Sequence, residues 1–255
     1  MGEFCKVERD GHVTTITIDR PEVMNAIHPP ASRELSAAFD AFAADPDAWV
    51  AILTGAGEKA FSAGNDLKFQ AAGNAIDGPP TGFAGITSRF DLAKPVIAAV
   101  NGLALGGGFE IVLACDVAIA SENASFGLPE PRVGLAALAG GLHRLPRQIG
   151  MKPAMGMLLT GRRVGAREAL ALGIVNEVVP AGELLAAARR WADQICECSP
   201  MSVRTTKRVV QEGLAHASLR EAMEARYPAI SELVKSEDFV EGPRAFAQKR
   251  KPNWK

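Results

Sequence analysis

Hydrophobic and polar positions near the start of the chain predict a hairpin followed by a helix. Residues 4–18 alternate around the turn-forming pair Asp10-Gly11, which is typical of two short antiparallel strands. After Pro29-Pro30 the pattern changes to a helical period, and Ser32 has the residue type and position expected of the helix N-cap. The apolar residues with that helical spacing are Leu35, Phe39 and Phe42.

From residue 49 onward, apolar runs alternate with helical patterns. The runs that predict strands are WVAILTG (49–55), KPVIAAVNG (94–102), VAIASE (117–122) and IVNEVV (174–179). The runs that predict helices are GGGFEIVLACD (106–116) and AREALALG (166–173). This alternation predicts an α/β fold with parallel strand pairing, right-handed crossovers and helices packed against the sheet.

The last quarter of the chain is predicted to be helical. From Gly182 onward no strand pattern occurs, and Trp191 and Ile195 lie on one helix face. No stretch has the composition of a linker. We therefore expect residues 1–190 to form the core and residues 191–255 to form a C-terminal helical lobe that is not an independent domain.

Composition excludes several classes of protein. The chain has 255 residues, of which 47% are apolar and 22% charged, as in soluble globular proteins. A net charge of -1 disfavours nucleic acid as a partner. Lys249-Arg250-Lys251 is the nearest approach to a basic patch, and it suits either a solvated face or a specific anion contact.

Sequence features also predict the cellular compartment and the state of the cysteines. No apolar run has the length of a membrane span, and the N-terminus lacks a signal-peptide pattern, so a cytoplasmic location is expected. The four cysteines form no C-x-x-C pair and have no neighbouring histidine. We expect them to be reduced, and no metal site is predicted.

The common nucleotide and hydrolase motifs are absent or poorly formed. The segment GAGEKA (55–60) fits a loose G-x-G-x-x-[GA] pattern after a strand. Gly64-Asn65-Asp66, however, interrupts the helix that a dinucleotide site would need. G-x-x-x-x-G-K-[ST], G-x-S-x-G and H-E-x-x-H do not occur, which disfavours P-loop, serine-hydrolase and zinc-protease chemistry.

The stretch NGLALGGGFEIVLACD (101–116) places three glycines before an apolar helix that contains a glutamate. At a helix start the N–H groups are unpaired and the dipole is positive, so a bare glycine backbone there suits an anion. Glu110 follows Gly107 by three residues and lies on the same face. Burial would raise its pKa and suit it to proton transfer, although a first-turn glutamate can also serve the helix dipole.

A second glutamate lies between two prolines. Glu130 follows a strand-like apolar run, and Pro129 and Pro131 keep it out of a helix interior. Alone it would be an ordinary loop residue. Together with Glu110, in apolar surroundings and beside glycine-rich turns, it makes a candidate pair for acid and base catalysis.

Five segments resemble the enoyl-CoA hydratase, or crotonase, superfamily in their order and spacing. They are AFSAGNDL (60–67), KPVIAAVNGLALGGGFEIVLACD (94–116), ASFGLPEPRVGL (124–135), AGGLHRLPRQIG (139–150) and LTGRRVGAREALALGIVNEVV (159–179). The resemblance covers essentially the whole chain. The separation of Glu110 and Glu130 by twenty residues is similar to that in hydratases.

The resemblance implies a β-β-α spiral core with a C-terminal helical lobe that builds trimers, usually paired into hexamers. It implies an acyl-CoA thioester as substrate, whose oxygen would bind the backbone N–H groups of Asn65 and Gly107. Glu110 would activate the water that adds at the β-carbon, and Glu130 would deliver a proton to the α-carbon. No metal or redox cofactor is implied, because coenzyme A is part of the substrate.

Contacts to coenzyme A are implied by two further segments. The backbone around four residues resembles the adenine-facing edge of the site, and these are Ala63, Asp66, Leu67 and Lys68. Phe246 and Lys249 match a family segment that reaches a neighbouring subunit's ligand, where Lys249 would contact a phosphate of coenzyme A. The glycine- and proline-bearing segment 70–90 is expected to border the entrance.

Residue choices within the family favour hydration of 2-enoyl-CoA. Isomerases commonly keep only a carboxylate at the position of Glu130, whereas this chain has both glutamates. The segments 82–95 and 227–254 resemble the carnitinyl-CoA dehydratase branch. That branch tends to have tryptophan in place of Asn65 and aspartate in place of Leu138, the residue expected in the acyl pocket.

Those two departures bear on the substrate, because a quaternary ammonium group prefers aromatic faces or acids. They favour an acyl group other than carnitine. Carnitinyl-CoA dehydration and enoyl-CoA isomerisation stay as alternative reactions. A catalytically idle CoA- or RNA-binding scaffold is an alternative of another class, which the two glutamates and the near-zero charge disfavour.

Overall fold

A computed structural model describes residues 2–75 and 77–255; Ile76, within the predicted entrance segment, lies outside them. The strands are β1 (Cys5–Asp10), β2 (Val13–Ile18), β3 (Val50–Gly55), β4 (Ala60–Ser62), β5 (Val96–Val100), β6 (Leu103–Leu105), β7 (Val117–Ser121), β8 (Ser125–Gly127), β9 (Arg163–Gly165) and β10 (Glu177–Val179). The helices are α1 (Pro29–Ala44), α2 (Leu67–Ala71), α3 (Gly107–Ala114), α4 (Gly141–Ile149), α5 (Met151–Thr160), α6 (Ala166–Leu172), α7 (Leu184–Cys196), α8 (Pro200–Gly213), α9 (Leu219–Glu224), α10 (Pro228–Val234) and α11 (Glu237–Ala247).

The larger of two sheets has the strand order β1-β2-β3-β5-β7-β10. β1 and β2 form the predicted antiparallel hairpin, with Asp10 opposite Val13, and each later neighbouring pair is parallel. The prediction of parallel pairing is therefore confirmed. Successive parallel strands need crossover connections, and those connections carry the second sheet and the helices.

Both faces of the larger sheet are buried at its central strands, whereas the edge strand β1 is largely exposed. In β3, Ala51 and Leu53 face a core shared with α1 and α3, while Val50 and Ile52 face the other side. That other side is covered by α7, and Trp191 and Ile195, which the sequence placed on one helix face, pack against it. Burial on both faces explains why β3 is a continuous apolar run rather than an alternating one.

The smaller sheet has the order β4-β6-β8-β9 and consists of three-residue strands. Strands this short leave little periodicity in the sequence, and hydrophobic patterning predicted none of β4, β6 and β9. β6 lies between β5 and α3, so the backbone turns twice between Asn101 and Gly107 before the helix begins. This sheet positions the residues considered below.

Two predicted boundaries are wrong. Ser32 is not the N-cap of α1, because the helix begins at Pro29 and His28 is the cap. Proline restricts the residue before it to extended backbone and itself fits the first helical turn, so the proline pair starts the helix rather than preceding it. Ser32 lies within that first turn, and its N–H donates to the carbonyl of His28 at 3.0 Å.

The second wrong boundary is that of the last strand, which was predicted over residues 174–179. Gly173 ends α6 with a φ of +78°, and the N–H of Ile174 still donates to the carbonyl of Ala169 at 2.8 Å. Residues 174–176 therefore complete the turn after α6. Strand pairing with β7 begins only at Glu177.

The C-terminal helices are connected to the core by specific polar contacts. The predicted division at residues 190 and 191 falls inside α7, which packs on the larger sheet, and α8–α11 follow it. From α8, Lys207 donates to Asp116 at 2.7 Å and to the carbonyl of Lys94 at 2.9 Å. Within residues 2–75 and 77–255, no helix has both the length and the apolar character needed to cross a membrane.

Candidate active site

A tight turn after β4 brings Asn65 next to the start of α3. Gly64 has a φ of +87°, and a Cβ there would lie 2.5 Å from the carbonyl oxygen of Leu105 and 2.8 Å from the nitrogen of Gly107. Glycine is thus required both by the backbone angle and by the close approach. As a result, Asn65 follows a residue that is packed directly against Gly107.

The N–H of Asn65 points away from Ile27, the residue with which Asn65 forms a β-bridge. Asn65 pairs with Ile27 in a parallel bridge, in which the N–H of Ile27 donates to Gly64 and the N–H of Asp66 donates to Ile27. In such a bridge the intervening residue directs its own N–H to the opposite side. The turn at Gly64 packs the same segment against the nitrogen of Gly107. Among the described residues, the N–H of Asn65 has no hydrogen-bond acceptor.

Gly107 is the first residue of α3, and its N–H likewise has no acceptor in the described part of the chain. An unpaired N–H at a helix start carries part of the positive end of the helix dipole. The ring of Phe83 covers this position, since a Cβ on Gly107 would lie 2.5 Å from a ring carbon. Two N–H groups without an acceptor among the described residues therefore belong to segments that pack together, and the ring of Phe83 lies against one of these segments.

Glu110 projects from the first turn of α3 into a buried environment. Glu110 is 3% exposed, and its Oε1 accepts a hydrogen bond from the N–H of Gly141 at 2.8 Å. Burial is the largest cause that raises its pKa, to about 7, and the charge of Glu130 acts in the same direction. Glu110 is thus poised to gain or lose a proton near neutral pH.

The carboxyl group of Glu130 lies close to Gly106, the residue that precedes α3. It is the first residue of a short 3-10 helix that follows β8, and burial raises its pKa. A Cβ on Gly106 would lie 3.0 Å from Oε1 of Glu130, so the carboxyl group lies over the glycine that precedes α3. Its Oε2 is buried and has no hydrogen-bond partner in the described structure.

The arrangement combines two chemical capacities. Two unpaired N–H groups can stabilise negative charge that develops on an oxygen. Two carboxyl groups with raised pKa can take up and deliver protons, and Glu110, whose pKa is about 7, can do so near neutral pH. A carbonyl compound whose oxygen acquires charge while protons move at adjacent carbons would use both.

The residues predicted to contact coenzyme A lie along the same turn. The N–H of Ala63 donates to Met24, whereas its carbonyl accepts no backbone bond among the described residues. Asp66 caps α2 through the N–H of Phe69 and is paired with Arg20 at 3.1 Å. Leu67 and Lys68 begin α2 and are exposed.

Three other predicted site residues are exposed on the single chain. Leu138 is 81% exposed and follows the loop after Glu130. Phe246 is 87% exposed at the end of α11, and Lys249 lies three residues beyond it with a φ of +53°. Leu138 is next to Ala139, whose backbone contacts Glu110, and the functional assignment of all three residues stays a prediction.

Sequence reasoning missed several residues that shape the site. Gly141 begins α4 and orients Glu110, and Arg144, one turn later, lowers the pKa of Glu110 by its charge. Phe83 covers Gly107, although it lies in the segment expected at the entrance. The glycine pair Gly140-Gly141 was a visible signal of a close backbone approach. Its partner, Glu110, lies 31 residues away, a distance over which local pattern carries no information.

Comparisons with known proteins agree with this geometry. The family model described as "Enoyl-CoA hydratase/isomerase" matches residues 8–255. The carnitinyl-CoA dehydratase of Salmonella typhi is 46% identical over 265 aligned positions, which cover 100% of this chain and 99% of that relative.

Solved structures show the same relationship. An enoyl-CoA hydratase from Mycobacterium tuberculosis H37Rv superposes with a TM-score of 0.93 at 38% identity, covering 100% of this chain and 99% of that one. A carnitinyl-CoA hydratase from Mycobacterium avium superposes with a TM-score of 0.80 at 45% identity, with the same coverage. The predicted crotonase-like fold with C-terminal helices is thereby confirmed.

These findings establish that the chain is an enzyme whose named relatives are hydro-lyases. They also support an acyl-CoA thioester as the kind of molecule on which it acts. By its sequence over residues 8–255 and by its fold, the chain belongs to the enoyl-CoA hydratase/isomerase family.

Proposed function

We propose that the protein adds water reversibly to 2-enoyl-CoA thioesters and so produces 3-hydroxyacyl-CoA. The observation that carries this proposal is the meeting of two unpaired N–H groups and two carboxyl groups of raised pKa around Gly106 and Gly107. Hydration needs stabilisation of an enolate and two separate proton transfers. This arrangement offers a group for each requirement.

The thioester oxygen would accept the N–H groups of Asn65 and Gly107. As water attacks the β-carbon, the electron pair of the double bond moves toward that oxygen, and an enolate forms. Backbone donors fixed in a buried turn need no reorganisation when the charge appears. In other enzymes, loss of one such donor costs about 3 kcal/mol of transition-state stabilisation.

The carboxyl groups would divide the proton transfers between them. Ionised Glu110 accepts a proton from the attacking water, and protonated Glu130 gives its proton to the α-carbon as the enolate collapses. Because two nearby carboxylates disfavour ionisation of both, the pair tends to hold one proton. Dehydration follows the same steps in reverse.

Coenzyme A would bind along the turn that follows β4. The carbonyl of Ala63 accepts no backbone bond among the described residues, so it can receive the amino group of adenine. The backbone of Asp66 and Leu67 would complete that edge, with Lys68 at its exposed end. The reaction transfers no electrons, and we propose no redox or metal cofactor, with coenzyme A entering as part of the substrate.

We also propose that the protein is a homotrimer, or a hexamer of two trimers. Large apolar side chains are exposed on the C-terminal helices, namely Leu214, Leu219, Met223, Phe239, Val240 and Phe246. Such an area is suited to contact between subunits. In that assembly Phe246 and Lys249 would reach the coenzyme A bound by a neighbouring subunit.

The test of the proposed function is the rate of crotonyl-CoA hydration by Glu110→Gln and Glu130→Gln. Glutamine preserves shape and hydrogen bonding but cannot transfer a proton, so each variant should lose about 10²–10⁴-fold in kcat. Glu122→Gln, on the exposed turn after β7, is the matched control and should keep full activity. Undiminished turnover in both active-site variants would refute the mechanism.

A second candidate reaction is the dehydration of carnitinyl-CoA, which the 46% identity to a carnitinyl-CoA dehydratase favours. That reaction would break the same kinds of bond in the reverse direction. Asn65 and Leu138 supply neither an aromatic face nor an acid for a quaternary ammonium group. Turnover of carnitinyl-CoA well above that of uncharged 3-hydroxyacyl-CoA thioesters would make it the preferred assignment.

A further inference from the structure

Arg144 contributes a half-buried positive charge beside the proposed catalytic site. It lies one turn into α4, and its own backbone N–H donates to the carbonyl of Gly140 at 2.8 Å. Burial lowers the pKa of its guanidinium, and the charge of Glu110 acts in the opposite direction. Arginine stays protonated in proteins. The structure thus holds a permanent cation near the carboxyl group that the proposed mechanism uses as a base.

The guanidinium of Arg144 packs on the turn that orients Glu110. A Cβ on Gly140 would overlap Nη1 of Arg144, so the guanidinium lies against the bare backbone of that glycine. Nη1 also approaches the carbonyl of Ala139, at 3.5 Å. From the same turn, the N–H of Gly141 donates to Oε1 of Glu110 at 2.8 Å, and the backbone of Ala139 contacts the same carboxyl group. Arg144 and Glu110 therefore bind the same short turn.

The other guanidinium nitrogen of Arg144 binds the loop that carries Phe83. Nη2 donates to the carbonyl of Thr87 at 2.8 Å. Thr87 is 3% exposed, and its hydroxyl accepts the N–H of Phe83 at 2.8 Å, while its own N–H donates to the carbonyl of Phe83 at 3.3 Å. Phe83 is the residue whose ring lies against Gly107. One side chain thus joins this loop to the turn that orients Glu110.

A planar guanidinium is suited to this double contact. Its N–H groups have a fixed fork geometry, so Nη1 and Nη2 of Arg144 can reach two segments at the same time. A lysine ammonium carries the same charge but offers its three donors from a single atom. Replacement by lysine therefore separates the effect of the charge from the effect of the shared contact.

We propose that Arg144 is a positioning residue for hydration, which holds the Phe83 loop against the Glu110 turn and favours the ionised form of Glu110 by its charge. This inference rests on the proposed function, because it takes Glu110 as the base. Burial is the largest cause that raises the pKa of Glu110 to about 7. The charge of Glu130, from the 3-10 helix after β8, raises it as well, whereas the charge of Arg144, from α4, lowers it.

The pH dependence of crotonyl-CoA hydration by Arg144→Met and Arg144→Lys tests the inference. Methionine removes the charge and the donors. The acidic limb of kcat/KM, which reports ionisation of the base, should therefore move to higher pH, and kcat on the plateau should fall about 10- to 100-fold. Lysine keeps the charge, so its acidic limb should stay near that of the wild type while kcat still falls. In both variants KM should change less than kcat, because the proposed contacts with coenzyme A are elsewhere.

Arg147→Met is the matched control. Arg147 lies three residues further along α4 and is exposed, and its guanidinium donates to the carbonyl of His143 in the same helix at 2.8 Å. It contacts neither the Phe83 loop nor the Glu110 turn among the described residues. The variant should keep the kcat and the pH dependence of the wild type.

Two results would overturn the inference: an unchanged acidic limb in Arg144→Met, or wild-type kcat in Arg144→Lys. A merely structural role would lower the stability to urea without moving the acidic limb. The lysine variant keeps the charge near Glu110, so it carries the test if Arg144→Met does not fold.

Failure of the proposed function looks different, since Glu110→Gln would then keep full turnover. The role of Arg144 still has a readout that needs no activity. The difference in free energy of unfolding between Glu110→Gln and its parent, followed across pH, gives the pH at which Glu110 titrates in the folded chain. That pH should be higher in an Arg144→Met background than in the wild type. Equal values in the two backgrounds would refute the assigned effect of the charge, whatever the turnover.

Discussion

At the scale of single residues, the buried carboxyl of Glu110 couples chemistry to stability. Its pKa is about 7 in the folded chain and 4.5 in the absence of the fold, so the folded state binds this proton more tightly. Each unit of difference corresponds to 1.36 kcal/mol. Protonated Glu110 therefore adds to the free energy of unfolding. This contribution is fully present below about pH 4.5 and is lost as the pH rises to 7.

Glu110→Gln should therefore be more stable than the wild type at alkaline pH. Glutamine keeps the acceptor for Gly141 but never ionises, so the gap in the free energy of unfolding should grow by about 3 kcal/mol between pH 4.5 and pH 8. Urea denaturation across that range, at matched protein concentration, measures it. Glu122→Gln should follow the wild-type curve. Parallel curves for Glu110→Gln and wild type would contradict the assigned burial.

Residue-scale prediction from sequence succeeds where the reason is local. Gly107 and Glu110 were identified because three residues of spacing on one helix face fix their relative position. The helix cap was wrong because Ser32 has the favoured side chain, whereas the backbone restriction imposed by Pro29 placed the cap at His28. The contact of Gly141 with Glu110 depends on tertiary packing, so the sequence showed a glycine pair but not the residue that it contacts.

At the scale of elements, the site depends on the contact between the turn after β4 and the start of α3. Alternating strands and helices were predictable because the parallel strands β3, β5 and β7 are buried on both faces and so are largely apolar. The three-residue strands of the smaller sheet were not, since their formation follows from neighbours far along the chain. The glycines at their ends were the readable signal of where two segments meet.

Gly64→Ala tests this contact. Its Cβ would meet Leu105 and Gly107, so α3 or the turn must move, and the two N–H donors would separate. We expect at least about a 100-fold loss in kcat for crotonyl-CoA, the size of an oxyanion-donor deletion. Gly173→Ala is the matched control, because its φ of +78° imposes a similar strain but no atom lies within 4 Å.

Both alanine variants should lose about 1–2 kcal/mol of stability from the left-handed backbone, as measured by denaturant unfolding. The loss of stability should thus occur in both variants, whereas only Gly64→Ala should also lose kcat. Equal activity in the two variants would show that the approach of Gly64 to Gly107 does not hold the donors in place.

At the scale of the whole molecule, one ion pair joins the C-terminal helices to the core and another holds the end of the chain against α11. Lys207 anchors α8 to Asp116, a partly buried ion pair whose lysine also binds a backbone carbonyl. The chain end is held differently, since Arg250 pairs with Glu241 of α11. Of the basic run found in the sequence, Arg250 is thus structural, whereas Lys249 is exposed.

In the proposed trimer, the exposed Phe246 and Lys249 at the end of α11 would serve the active site of another subunit. Sequence composition could not decide this, because a solvated face and an anion contact have the same residues. In the proposed trimer, the role of Phe246 and Lys249 depends on how the subunits are arranged. In a cyclic assembly, each active site would combine the glutamates of one chain with the tail of the next.

Mixing two defective variants distinguishes action within a chain from action between chains. Glu110→Gln lacks the base but keeps Phe246 and Lys249, which are here called the tail. The double variant Phe246→Ala/Lys249→Ala keeps both glutamates but lacks the tail, and it should lose kcat/KM through weaker binding of coenzyme A. Random co-assembly should restore about a quarter of the sites, each with the glutamates of one chain and the tail of its neighbour. Co-expression followed by crotonyl-CoA kinetics measures the recovery. Glu110→Gln mixed with Glu130→Gln should recover nothing, because both carboxyls act within one chain, and an equally inactive tail mixture would exclude the exchange.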